Sequence, residues 1–98
     1  MAGLERDFQQ LVRKQIQKVL PDSLTVKNDS GYIQGIPDLT VFCGDKWAFI
    51  EVKKSPNEKY QPNQEYYLDW ANQRAFSATV FPENCDLVLD ELYNYFNS

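Results

Sequence analysis

Apolar positions along the chain follow two periods, one typical of helices and one typical of strands. Between residues 4 and 20 they recur every 3.6 residues and Pro21 ends the pattern, which predicts a helix over 4–20. The apolar side of this helix consists of Leu4, Phe8, Leu11, Val12, Ile16, Val19 and Leu20. Runs rich in β-branched and aromatic residues predict strands at 24–28, 38–43, 47–53 and 77–81.

Two further helices are predicted, one over 62–75 with a proline in its first turn and one that begins at Pro82. Their inward stripes are Gln64, Tyr67, Leu68, Ala71 and Ala75 in the first helix and Cys85, Val88, Leu89, Leu92 and Phe96 in the second. This order of elements predicts an α/β sandwich in which helices flank a mixed sheet. A crossover through helix 62–75 should make the strands on either side of it parallel, with a right-handed connection.

The strands at 38–43 and 47–53 are predicted to form a β-hairpin. Gly44-Asp45 supplies the turn, since glycine tolerates positive φ. If the loop has two residues, counting outward from it places Asp38 directly opposite Glu51, with Cβ atoms about 4.5–5.5 Å apart. Lys53 is two residues beyond Glu51 and therefore points to the same face. A longer loop would shift this register and separate the three side chains.

Two adjacent carboxylates on one sheet face are costly unless something compensates their charge, and a divalent cation would do so. The alternative is that both acids face solvent, as acidic residues in strands usually do. Against that alternative, Glu51 lies between Ile50 and Val52 in the most hydrophobic stretch of the chain. We therefore expect Asp38, Glu51 and Lys53 to form a functional site.

Glu5 and Gln64 each allow two interpretations. Glu5 lies on the apolar arc of the first helix, where a solvated or dipole-stabilised N-terminal acid is favoured over a third carboxylate aimed at the sheet. Gln64 is the amide on the stripe of helix 62–75, next to a polar loop over 55–61. It either caps the helix or bonds the backbone, or it orders water or phosphate at the site.

Composition narrows the chemistry. With 98 residues the chain is predicted to form one domain over 1–98. It has no histidine, which excludes histidine general bases, Ser-His-Asp triads and HEXXH zinc sites. Oxygen atoms must therefore hold any metal, which suits Mg²⁺ or Mn²⁺. Cys43 and Cys85 lack metal-binding spacing and are expected to be buried thiols in a reducing compartment.

No membrane span or signal peptide is visible, so a cytoplasmic protein is expected. The net charge of −4 is unfavourable for binding nucleic acid. The charge is polarised, however, because the segment from Glu83 onward contains acids and no basic residue. Basic residues are grouped as Arg6, Arg13, Lys14 and Lys18 in the first helix and Lys46, Lys53, Lys54 and Lys59 around the hairpin. A local basic surface is therefore possible.

The motif Gly35-Ile36-Pro37-Asp38, followed by Glu51-Val52-Lys53, resembles the signature of the PD-(D/E)XK nuclease superfamily. The helix acid Glu5, the turn Ser30-Gly31 and the downstream Gln64 make it most similar to stand-alone VRR-NUC (virus-type replication-repair nuclease) domains. In this chain the helix start is Tyr60-Gln61-Pro62-Asn63-Gln64, which lacks the serine of the family pattern, so Gln61 is a rival to Gln64.

The resemblance implies a restriction-endonuclease-like αβββαβ core with an added C-terminal helix, and a metal-dependent DNA endonuclease often encoded by phages, in which case it would act in the host cytoplasm. Branched DNA such as a four-way junction is the implied substrate. Asp38, Glu51 and the Val52 carbonyl would ligate Mg²⁺ or Mn²⁺, and Glu5 would bind a second metal or its water. Lys53 would hold the attacking water or stabilise developing charge, and Gln64 would steady it.

A homodimer is expected because so small a chain cannot enclose much DNA. The tail residues Tyr93, Tyr95 and Phe96, or the first helix, would form its interface. Three other functions stay open at this point: a non-catalytic DNA-binding or scaffold protein of the same fold, a protein-interaction module, and a hydrolase of small nucleotides.

Overall fold

The computed structural model describes residues 2–98 of the chain, with side chains from Glu5 onward. The expected place of Leu4 on the apolar side of the first helix lies outside the described side chains. The elements in chain order are α1 (Ala2–Val19), β1 (Leu24–Lys27), β2 (Leu39–Cys43), β3 (Lys46–Val52), α2 (Gln64–Asn72), β4 (Phe76–Val80) and α3 (Cys85–Phe96). A single 3₁₀ turn, Pro82–Asn84, precedes α3, so Pro82 opens this turn rather than the α-helix itself.

The four strands form one mixed sheet in the order β1-β2-β3-β4. β1 pairs with β2 and β2 with β3 in antiparallel fashion, whereas β3 and β4 are parallel. The parallel pair is joined by α2, as the sequence predicts for a crossover connection. The strands and helices are those expected from the sequence. Their ends differ from the predicted ones by up to three residues, as is usual at the ends of helices and strands.

The hairpin register is the expected one. Cys43 pairs with Lys46 across a two-residue turn, and Leu39 pairs with Ile50. Gly44 in the turn has φ 64°, a conformation that costs glycine little. Asp38 precedes Leu39 and Glu51 follows Ile50, so these acids face each other at the open end of the hairpin.

Side chains of successive β3 residues face opposite sides of the sheet, and each side is covered by different helices. On one side, α1 and α3 pack on the core, whose buried members are Val12, Ile16, Leu20, Leu39, Val41, Ala48, Ile50, Val52, Val80, Val88, Leu89 and Leu92. On the other side, α2 covers β3 and β4, and its Trp70 contacts Trp47 with ring centroids 5.7 Å apart. Of the functional side chains expected from the sequence, Glu51, Lys53 and Gln64 lie on this second side, whereas Glu5 belongs to α1.

Some burial expectations are wrong. Leu11 is 48% exposed because the buried seam of α1 runs through Val12 and Ile16, about 100° around the helix from it. Cys43 and Cys85 are free, as expected, but only half-buried. Some residues on the predicted apolar side of a helix are therefore exposed.

The C-terminal aromatic residues do not form one exposed patch. Tyr95 stacks on Phe76 with ring centroids 5.4 Å apart, and Phe96 packs against the core. Only Tyr93 of the three is largely exposed. Nearby, the Lys46 Nζ donates to the carbonyls of Tyr95 at 3.0 Å and Ser98 at 2.8 Å, where α3 ends. Across the described helices, no segment is both long and apolar enough to cross a lipid bilayer.

Candidate active site

Two carboxylates meet at the open end of the hairpin. The backbone N–H of Asp38 donates to Glu51 Oε1 at 3.1 Å, and the backbone N–H of Val52 donates to Asp38 Oδ2 at 2.9 Å. Each carboxylate therefore bonds the backbone of the opposite strand, which holds both side chains at this end of the sheet. Glu51 is only 2% exposed although its side chain is ionisable.

Lys53 lies beside Glu51, as the strand alternation predicts. The residue is buried at 5% exposure, and its Nζ is 3.3 Å from Glu51 Oε2. The Nζ also donates to Gln64 Oε1 at 3.2 Å, and the ring centroid of Tyr60 lies 5.8 Å away. The ammonium is therefore held between a carboxylate, an amide oxygen and an aromatic face.

Gln64, rather than Gln61, is the amide in this cluster. Gln64 Nε2 donates to Glu51 Oε2 at 2.8 Å, while its Oε1 accepts from both Lys53 and the backbone N–H of Gln61, the latter at 2.7 Å. Gln61 contributes this backbone N–H, and the residue itself is exposed and lines the cavity. Gln64 thus bonds the backbone of the preceding loop, which is one of its two expected roles, and it also contacts the charged pair. Its ordering of water or phosphate stays a prediction.

The start of α2 depends on two residues with positive φ. Asn63 immediately precedes Gln64 with φ 72°, and Gly35 has φ 88°. A Cβ atom at Gly35 would lie 2.4 Å from the Pro62 carbonyl and 2.6 Å from Asn63 Cβ. The loop before Asp38 and the loop before Gln64 therefore touch where only a glycine fits.

A cavity of about 480 Å³ opens above the cluster. Its lining includes Asp38, Glu51, Lys53 and Gln64, together with Glu5 from the first turn of α1. Glu5 is half-buried in the first turn of α1 and lines the cavity, so its position fits an acid at a helix N-terminus as well as a carboxylate of this site. A role for Glu5 in binding a metal stays a prediction.

Sequence reasoning missed other cavity residues. Glu58 belongs to the polar loop after β3, where its Oε1 accepts from the Lys54 backbone N–H at 3.1 Å. Arg6 and Lys27 line the wall beside Glu5. Only the position of Arg6 next to Glu5 was visible in the sequence, because the other two reach the cavity through loop and strand packing.

The electrostatics of the cavity raise the pKa values of its carboxyl groups. Burial, followed by repulsion from Asp38, raises the pKa of Glu51 to about 7 despite the adjacent Lys53. Burial also raises the pKa of Asp38, although the Val52 N–H, Lys53 and Lys27 oppose the shift. The pKa of Glu5 is raised by burial and by its neighbours Glu58 and Asp38. Negative charge is therefore crowded here, and a cation would relieve it.

The donors present suit a hard divalent cation. Asp38 and Glu51 offer carboxylate oxygens, the ligands that Mg²⁺ and Mn²⁺ prefer. In an extended strand the N–H and C=O of one residue point to the same side, so the Val52 carbonyl lies on the Asp38 side of β3. Within residues 5–98, however, no three acidic, cysteine or histidine side chains are already drawn together as a metal-binding group. The raised carboxyl pKa values fit a cation, whereas a complete ligand set is not assembled.

Comparison with known proteins identifies the fold. No protein-family model matches the sequence, and no curated protein matches it. A solved structure described as a VRR_NUC domain matches 83% of this chain and 92% of its own chain, with a TM-score of 0.62 and 23% sequence identity. The chain has a VRR-NUC-like fold. At this identity, the likeness establishes the architecture and leaves the chemistry to the residues themselves.

The VRR-NUC-like fold confirms the architecture expected from the motifs: a mixed four-stranded sheet, flanking helices and an added C-terminal helix. In this fold, the Gly35–Asp38 motif and the Glu51–Lys53 motif lie side by side at the open end of one hairpin. They contribute three of the polar groups that line the cavity floor.

Proposed function

We propose that this chain is an endodeoxyribonuclease that depends on Mg²⁺ or Mn²⁺ and hydrolyses phosphodiester bonds in the cavity above Asp38, Glu51 and Lys53. The observation that carries the proposal is the buried Glu51–Lys53 ion pair, with half-buried Asp38 tied to the same end of the hairpin by backbone hydrogen bonds. A sheet gains no stability from placing two acids and an amine in its interior, because desolvation offsets the attraction. Such a cluster in a cavity is typical of a catalytic site.

Asp38, Glu51 and the Val52 carbonyl would hold the cation, with Glu5 placed to bind a second one or its water. A bound divalent cation would polarise the scissile phosphate and lower the pKa of a ligated water. Lys53 supplies a positioned ammonium that orients the attacking water or stabilises the charge that develops on the phosphate oxygens. Gln64 holds Lys53 and Glu51 in place through its two amide atoms.

The direct test is cleavage of a labelled four-way junction, a flap and a plain duplex, each with and without Mg²⁺. We expect metal-dependent cleavage, strongest on branched DNA, and its loss in Lys53→Ala. Isothermal calorimetry with Mn²⁺ supplies a readout independent of cleavage. We expect a binding site that Asp38→Asn removes.

A non-catalytic DNA-binding or scaffold protein of the same fold is the alternative. The net charge of −4 and the absence of an assembled three-ligand group within the described residues favour it. Binding of branched DNA by the intact protein without cleavage in either Mg²⁺ or Mn²⁺ would support this alternative and contradict the nuclease.

We also propose that the active form is a homodimer acting on branched DNA. The molecule measures 34 × 25 × 21 Å, so one copy spans about one helical turn of duplex DNA and places a single carboxylate-lined cavity on it. Two copies would place two cavities on two strands. Light scattering of the purified protein should give twice the 11.4 kDa chain mass, and a monomer that cleaves junctions at full rate would refute the dimer.

A further inference from the structure

The wall of the catalytic cavity next to α1 has a different chemistry from its floor. Arg6 and Gln9 project from the first turns of α1, Lys27 ends β1, and Gln34 closes the wall from the following loop. None of these side chains belongs to the carboxylate cluster. The floor carries Asp38 and Glu51, whereas this wall carries two cations and two amides beside Glu5.

Both cations of the wall are available to a ligand. Within residues 5–98, the ion pair that forms is Lys53 with Glu51, and neither Arg6 nor Lys27 donates a side-chain hydrogen bond. Lys46, by comparison, donates to the end of α3, and the guanidinium of Arg74 donates to the Trp70 carbonyl at 2.8 Å. Exposed basic residues are usually just solvated, but these two border one cavity with the catalytic groups.

The wall is also electrostatically close to the floor. The charge of Lys27 is among the influences that lower the pKa of Asp38, against the larger effect of burial. By β1–β2 register, Lys27 pairs with Leu39 and leaves the sheet on the α1 side, one residue along β2 from Asp38. Lys27 and Asp38 line the same cavity, so a group bound by Lys27 would lie at the α1 wall of the cavity that also contains Asp38.

The cavity has room for more than the reacting phosphate. Its volume of about 480 Å³ is far larger than the space that a single water needs, on the order of 10–15 Å³. A nucleic-acid strand entering it carries a negative charge on every linkage, and the acidic floor repels the linkages that are not being cleaved. Cations next to the floor remove that repulsion, and arginine can bond a phosphate with two parallel hydrogen bonds.

We propose, on the basis of the proposed nuclease function, that Arg6 and Lys27 form a subsite for the phosphate next to the one being cleaved, on the same DNA strand. Gln9 and Gln34 border this subsite and offer amide donors. The subsite positions the strand so that the neighbouring linkage lies over Asp38 and Glu51, and it compensates locally for the net negative charge of the chain.

The first test is the double variant Arg6→Gln and Lys27→Gln, assayed on whichever DNA the wild type cleaves. We expect KM to rise at least tenfold while kcat stays within about threefold, since the pair binds substrate and does not touch the reacting atoms. The slope of log affinity against log salt should fall in magnitude by about 1 to 2. The matched control, Arg13→Gln with Lys18→Gln, removes the same charge from α1 outside the cavity. It should change KM and the salt slope much less than the double variant does.

The second test replaces single phosphates by neutral methylphosphonates. Each linkage within three nucleotides of the cleavage position is changed in turn, and binding is followed by fluorescence anisotropy with Ca²⁺ in place of Mg²⁺. We expect one linkage adjacent to the cleaved one to weaken wild-type binding and to have no further effect in the double variant. Equal sensitivity of both proteins at every linkage would overturn the subsite.

The outcomes separate this proposal from the nuclease. If the wild type cleaves DNA and the double variant matches it in KM and salt slope, the subsite is wrong and the nuclease stands. If the wild type binds DNA without cleaving it and the double variant binds more weakly, the nuclease is wrong, and Arg6 and Lys27 bind DNA phosphate but not next to a cleaved linkage. If the wild type does not bind DNA, both are wrong.

Discussion

The two ends of the β2–β3 hairpin each carry a lysine, and they use it in opposite ways. At the turn end, Lys46 is half-buried and donates to carbonyls where α3 ends, 3.0 Å from the Tyr95 oxygen. At the open end, Lys53 is almost fully buried between Glu51 and Gln64. One lysine satisfies backbone groups near water, and the other is enclosed with carboxyl groups.

Within one hairpin, Lys46 therefore stabilises the fold, whereas Lys53 belongs to the proposed active site. A cation at a helix C-terminus complements the helix dipole and the unpaired carbonyls, so Lys46 stabilises the fold modestly. Lys53 and its carboxylates are desolvated, and a buried ion pair is often no better for stability than apolar packing. The open end therefore retains charges that the fold alone does not require.

The largest contrast should come from removing each lysine and measuring DNA cleavage. Lys53→Met should lower the single-turnover rate by roughly 10²- to 10³-fold, the usual effect of deleting one group that stabilises transition-state charge. Lys46→Met should leave that rate within about twofold. Circular dichroism confirms that both variants fold. A Lys53→Met protein retaining a tenth of wild-type activity would remove Lys53 from the mechanism.

The second contrast is in how the free energy of unfolding of the metal-free protein depends on pH. We expect this dependence to arise from the open end of the hairpin and not from its turn end. The Glu51 pKa is about 7 in the fold against 4.5 ordinarily, so its stabilisation is complete below pH 4.5 and is lost as pH rises through 7. The loss should be on the order of 3 kcal/mol, measured by urea unfolding in chelator. With no histidine in the chain, few other groups titrate in that window.

Glu51→Gln is the control for this pH dependence. The variant should show a much flatter profile between pH 5 and 7.5, with a residual slope of the same sign from Asp38, whose pKa burial also raises. Added Mg²⁺ should restore wild-type stability more at pH 8 than at pH 5, because the ionised carboxylates bind it. Wild-type stability that rises with pH across this window would contradict the burial of Glu51.

The third contrast concerns two glycines with positive φ, one at each end. Gly35→Ala should destabilise the protein by about 1–3 kcal/mol, because its Cβ would lie 2.4 Å from the Pro62 carbonyl in addition to the backbone strain. Gly44→Ala adds strain alone, since nothing lies within 4 Å of its Cβ, and should cost about 1 kcal/mol. Thermal unfolding measures both, and only Gly35→Ala should also reduce cleavage. Equal losses of stability and activity in the two variants would contradict a role for Gly35 in placing Gln64.

The smallest expected effect is the loss of stability when Lys46 is replaced. Lys46→Met should lower the free energy of unfolding by about 0.5–1 kcal/mol at low salt and by less at high salt, where the charge is screened. The measurement is urea unfolding at two salt concentrations. A loss that does not depend on salt would mean that packing of the lysine stem, rather than its charge, stabilises the end of α3.

Local rules were sufficient for the hairpin and therefore for most of the site. A two-residue turn and the alternation of a strand place Asp38, Glu51 and Lys53 on one face, and the structure shows them together. The parallel β3–β4 pair also follows from the length and helical pattern of its connection. These features depend on residues that are near one another in sequence.

Features that depend on packing between distant segments were beyond sequence reasoning. Leu11 is exposed because the neighbours of α1 select the buried arc, which periodicity locates only to within about a quarter turn. Lys27 reaches the cavity from the end of β1 and Glu58 from the loop after β3, and no motif marks either residue. The contact of Gly35 with Pro62 and Asn63 likewise joins loops that the sequence separates. Homodimerisation and selectivity for branched DNA stay predictions.

Both tryptophans of the chain sit in one contact, Trp47 of β3 against Trp70 of α2. Intrinsic fluorescence excited at the tryptophan band will therefore report the seating of α2 on the sheet rather than average over the molecule. Since α2 begins with Gln64, an emission shift on addition of metal or DNA would signal movement of the helix that carries this amide. An unchanged spectrum with demonstrated binding would mean that the cavity accepts its ligands as a rigid receptor.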